Sequence, residues 1–175
     1  MSKTMTSATA NKMLRQLKDE KDYLLEVESN ANTYIETEGV DDTCIPEYDY
    51  RATANRLAEL DNKVCALKHA INKMNVSTEI TVDINGEPET MTIDVALVKM
   101  AQLNRRASYL DTMRKMLPKA RHKQYGSTSN LVEYICVNYD IKEVKADYDN
   151  LMTTIAEIQT QIDYVNQTVQ FEVEV

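Results

Sequence analysis

The side chains best able to do chemistry in this 175-residue chain gather in one segment. Residues 99–123 carry 8 basic and 1 acidic side chains, whereas residues 1–98 carry 10 and 18, and residues 124–175 carry 2 and 9. A +7 island therefore interrupts a chain whose net charge is −8. Within it, Lys119, Arg121 and Lys123 precede Tyr125 in a stretch, PKARHKQYGSTSN, that reads as a loop. Cations beside an aromatic ring can contact phosphates and stack a base, so phosphate or nucleic-acid binding by residues 99–123 is one expectation. The remaining chain repels polyanions. A second expectation is that the island pairs with acidic residues of the same or another chain.

Other reactive residue types lack the spacing that catalysis or metal binding requires. Cys44, Cys65 and Cys136 form no CxxC pair, and His69 and His122 stand apart, so no zinc site is expected. An odd cysteine count without a signal-peptide core in MSKTMTSATANK implies reduced thiols and cytoplasmic residence. Asp41 and Asp42 with Glu47 and Asp49 do not follow a calcium-loop pattern, and isolated Gly86 and Gly126 make no phosphate-cradling loop. No Ser/His/Asp or Cys/His set has a supporting local motif. The chain is therefore expected to be non-enzymatic, with no catalytic residue, cofactor or metal. No apolar run approaches the ~18 residues of a membrane span.

Tyrosine usage is unusual: 10 Tyr accompany 1 Phe and no Trp. Such rings suit interfaces because an apolar body carries a polar tip, and they suit the closed end of a helical core equally well. Tyr48, Tyr50, Arg114, Lys119, Arg121, Lys123, Tyr125, Tyr139 and Phe171 are the candidate interaction residues.

The elements that must position these residues are read from a repeated heptad. Steps of three and four give Ala10 to Tyr34, Tyr50 to Met74, Ile93 to Leu117 and Ile141 to Val165. Of these 32 positions only Glu20, Thr53 and Arg114 are not apolar, against roughly 14 apolar expected by chance. The spacing predicts helices over about 8–36, 50–75, 93–117 and 141–166. Ser7 or Thr9 would cap the first, and Thr92 or Asp94 the third. Glu20 and Arg114 either fix register inside a seam or mark its open parts. Alternation around Asn85-Gly86 predicts a β-hairpin over about 78–93. Residues 131–139 read as strand or short helix, and 168–175 as a final strand.

Matched helix lengths predict a mainly α, single-domain antiparallel four-helix bundle with this small β element. In that arrangement the tail adds a third strand to the hairpin. The acidic linker 37–49 meets the basic loop 118–140, within one chain or between protomers. The stretch 137–173 resembles the end of an uncharacterised bacterial family of small helical proteins. Asp140, Ile141, Val144, Leu151, Ile158, Gln159 and Asn166 match that family's pattern, while Gln167 stands where an aromatic residue often follows the late Asn. The resemblance implies a helical, oligomeric protein and carries over no catalytic residue. The expectation is a homo-oligomeric structural or protein-interaction module, with an unidentified protein partner also open and with the tail's edge available for strand addition to a neighbouring chain.

Overall fold

The computed structural model describes residues 2–36, 38–39, 44–84, 86–122 and 132–174. Among these residues four helices and three two-stranded antiparallel sheets form, in two compact units. The division falls within the second and fourth helices.

The first unit comprises residues 1–75 and 164–175. Strand β1 (Ser2–Thr6) runs directly into α1 (Ser7–Ala31), and α2 (Tyr50–Ser77) follows the linker. The cap of α1 is Thr6, whose Oγ1 accepts a hydrogen bond from the Thr9 amide at 3.3 Å, while Ser7 is buried in the first turn. At the other end α1 stops at Ala31, short of Glu36, where Ser29, Asn30, Asn32 and Thr33 crowd residues of low helix propensity together. As α1 advances from Lys21 to Glu28, its partner on the following segment recedes from Asp61 to Tyr48, so the two run antiparallel. Asp49 starts α2 by accepting from the Ala52 amide at 3.0 Å.

The last strand of the chain, β6 (Gln170–Glu174), pairs antiparallel with β1, from Ser2 opposite Glu174 to Thr6 opposite Gln170. This corrects the expectation that the tail extends the hairpin. Period-two alternation puts Met5, Phe171 and Val173 on one face of the ribbon. There Met5 and Val173 join Ala10 and Leu67 in a buried cluster, with Met13, Leu14, Leu17, Ala70, Ile71 and Phe171 packed around it. The ribbon thus caps the helix pair by covering apolar surface, which a lone two-stranded ribbon needs for stability.

The second unit spans residues 76–163. Its hairpin is β2 (Glu79–Ile84) and β3 (Glu87–Thr92), with Ile80 opposite Met91, both buried. The register ends with Ile84 opposite Glu87, and Gly86 takes φ +88, the left-handed value a tight hairpin turn demands. Helix α3 (Ile93–Arg114) leaves the hairpin without a break. Thr92 is its cap residue but makes no capping bond to the backbone; its hydroxyl bonds the Asp94 carboxylate at 2.5 Å.

Helix α3 ends at Arg114 rather than Leu117, since Pro118 disfavours helical backbone at the residue before it. Two short strands follow, β4 (Lys119–Arg121) and β5 (Tyr134–Cys136), paired antiparallel. This resolves the 131–139 ambiguity in favour of strand and finds a strand where 118–130 read as loop. Asp140 then begins α4 (Ile141–Thr168), accepting from the Lys142 amide at 2.8 Å. Ile93, Ala96, Ala107 and Leu110 of α3 and Val144, Ile155, Ile158 and Ile162 of α4 are buried. Glu157 Oε1 accepts from the Asp83 amide at 2.7 Å, fastening α4 to the hairpin.

Candidate functional site

Two of the surfaces suggested by the sequence have a definite geometry, one in each unit. In the first unit, Leu25, Glu28, Ser29 and Asn32 of the end of α1 and Tyr48 and Tyr50 of the start of α2 line a groove of about 520 Å³. Tyr48 is half-buried and its Oη donates to Glu28 Oε1 at 2.5 Å, while Tyr50 is exposed. Hydrogen bonding to Glu28 is the main reason that the Tyr48 hydroxyl is pushed up to about 12, with loss of water around it adding to the effect. The ring is therefore a neutral donor fixed against a carboxylate. Around this end Tyr34, Ile35 and Ile45 are exposed, as are Glu36, Glu38, Glu47 and Asp49. The described part of residues 22–50 has seven acidic and no basic side chains, so this stretch is apolar and anionic. Asp41 and Asp42 lie outside the described residues.

In the second unit, the β4–β5 register sets Lys119 opposite Cys136 and Arg121 opposite Tyr134. Directly opposed residues share a face, and alternate residues of a strand do too, so these four side chains share one. All four are exposed. The Lys119 ammonium sits 4.1 Å from the centre of the Tyr134 ring, a cation–π contact that sets the charge over an aromatic plate. On the other face, His122 Nδ1 lies 3.2 Å from Glu133 Oε2. Lys123 and Tyr125, also expected here, lie outside the described residues.

The remaining candidates are engaged within their own units. Arg114 places Nε and Nη2 at 2.9 and 2.6 Å from Asp111 Oδ1, and its guanidinium lies 4.1 Å over the Tyr148 ring. That explains a cation at a seam position: the charge is turned onto Asp111 while its planar face stacks. Asp111 also accepts from Lys115 at 2.5 Å. The Tyr139 hydroxyl donates to the Met113 carbonyl at 2.9 Å, closing the end of α3, and Phe171 packs on the first unit's cluster. Glu20 is accounted for similarly, accepting from Arg56 Nε at 2.8 Å. Heptad spacing contains no signal for Glu28, Asp111 or Arg56, because each of these contacts is set by tertiary placement.

A further groove of about 410 Å³ in the second unit was not anticipated. Lys99, Arg106, Asp147, Asn150 and Thr154 give it polar walls over Leu103, Leu110 and Leu151. Lys99 is tied to Glu89 at 2.6 Å. Among the described residues no group of three or more His, Cys, Asp or Glu could hold a metal ion, and Cys44, Cys65 and Cys136 are free and exposed. No described helix is long and apolar enough to cross a membrane.

No family model and no curated protein matches the chain. Its fold is similar to the crystal structure of a functionally unknown conserved protein from Corynebacterium diphtheriae, with a TM-score of 0.67 and 17% identity over 98% of this chain and 100% of that one. At this identity the likeness shows the fold alone, and a conserved bacterial protein of unknown function is consistent with the uncharacterised bacterial family that the 137–173 stretch resembles.

Proposed function

We propose that this chain is a non-enzymatic structural or protein-interaction module that self-associates through helical and β-edge surfaces. The observation that carries this reading is the seam of the α1/α2 pair. Leu17, Leu24, Val27, Leu57, Val64 and Ile71 sit at heptad positions, yet all are only half-buried. An antiparallel pair covers such residues from one side, and packing against further helices encloses them. Full burial of a half-covered Leu or Val is worth about 1 kcal/mol, so several such residues along one seam favour further helix packing. Completion of a four-helix arrangement belongs to this proposal. Supporting it, every sheet has two strands, so each strand keeps an edge without a strand partner among the described residues.

The test is absolute mass by light scattering after size exclusion, at low and high salt. A stable multiple of 20.0 kDa is the expected result. A monomer at both salts would sink the reading. A second reading, binding of phosphate or nucleic acid, is favoured by one specific feature: the face that sets Lys119 and Arg121 beside Tyr134.

A further inference from the structure

We propose that the acidic tyrosine groove of one copy receives the basic β4–β5 face of a second copy. The inference rests on the self-association reading and names the surfaces that meet.

The two surfaces are complementary in charge and alike in their apolar content. The groove end offers Glu36, Glu38, Glu47 and Asp49 around Tyr50 and Ile35, the last 91% exposed. Between residues 22 and 50 the chain carries no basic side chain, and the exposed Arg51 is the first to follow. Opposite in sign, the β4–β5 face offers Lys119 and Arg121 around Tyr134, and Arg121 is in no ion pair among the described residues. A foreign basic partner would need to reproduce this combination of cations and an aromatic plate, which every copy of the chain already carries. Exposed ion pairs contribute little individually, so the apolar rings and Ile35 supply most of the affinity while the charges select and orient the partner. A contact from groove to face joins unlike surfaces, and each copy has one of each.

This arrangement allows a reciprocal charge exchange. One variant reverses the groove end (Glu36→Lys, Glu38→Lys and Glu47→Lys); the other reverses the face (Lys119→Glu and Arg121→Glu). All changed positions are exposed, and far-UV circular dichroism confirms that each variant keeps its helices. Each variant alone is expected to scatter below the wild-type mass, since its two surfaces now carry the same sign. An equimolar mixture is expected to recover the wild-type mass, because both contacts become complementary again. If the wild type itself is monomeric, self-association fails and this inference with it. If the variants alone keep the wild-type mass, or if the mixture rises no higher than either variant alone, this pairing is overturned while self-association stands.

Discussion

Tyr48, two residues before the first turn of α2, is tied to Glu28 in the last turn of α1 by a 2.5 Å hydrogen bond. The bond closes the linker end of the helix pair without helical backbone. It also makes Tyr48 a reporter. A phenol whose folded value is raised from 10.0 to about 12 stabilises the fold fully below its unfolded value, and that contribution is lost as pH rises through the folded one. In a tyrosinate-absorbance titration, Tyr48→Phe should remove the latest-ionising hydroxyl, and Glu28→Gln should return it toward ordinary tyrosines. A late step that persists in both variants would place the effect elsewhere.

Asp111 works in the opposite direction. Hydrogen bonds from Lys115, then from Arg114, hold its carboxyl below the usual aspartate range. A depressed value means that its contribution is complete above the unfolded pKa and vanishes as pH falls through the folded one. Asp111→Asn should therefore be less stable than the wild type at neutral pH, with the gap closing on acidification below about 4. It should also loosen the stacking of Arg114 on Tyr148. Denaturant midpoints measured across pH decide this, and a gap that does not vary with pH would remove ionic linkage as its source.

The core of the first unit makes a larger claim on stability. Leu67 is fully buried in the cluster with Met5, Ala10 and Val173, where helix α2 meets the β1–β6 ribbon. Leu67→Ala should cost about 2–5 kcal/mol, from lost transfer energy and the cavity left behind. Leu25→Ala, at a side chain 42% exposed, should cost only about 1 kcal/mol. Similar losses for the two in chemical denaturation would mean that the ribbon does not cover Leu67 in solution.

The helices were legible because a heptad states its own periodicity many times over. Of the seam positions, only Tyr34, Tyr50 and Leu117 are exposed, and each lies at or beyond a helix end. Ends are set by single residues, such as the asparagines after Glu28 and Pro118 after α3, and a repeat carries no information about them. Strand β1 was illegible for a different reason: Ser2-Lys3-Thr4-Met5-Thr6 holds one buried apolar residue, too few to display a period of two. Its pairing with β6, at the far end of the sequence, is a tertiary event that local pattern cannot encode. The candidate residues divided similarly. Lys119 and Arg121 stood out by charge, but Tyr134 joined them only through strand register, and Arg114 lost its apparent freedom to Asp111.

That register also gives the anion-binding alternative its sharpest consequence. Lys119 and Arg121 are two residues apart on a strand and so project from the same face, with Tyr134 beside them. A single strand of nucleic acid laid on that face would meet two cations and one stacking plate. Mobility-shift titration with single-stranded DNA and RNA should then show binding that weakens steeply with salt, the slope falling by about one to two when Lys119→Glu and Arg121→Glu are combined. Tyr134→Ala should weaken binding by about 1–3 kcal/mol, the worth of one stacked base, while leaving the salt slope unchanged. Loss of slope and loss of stacking are thus separable, whereas the pairing of two copies predicts no shift with either nucleic acid at low salt.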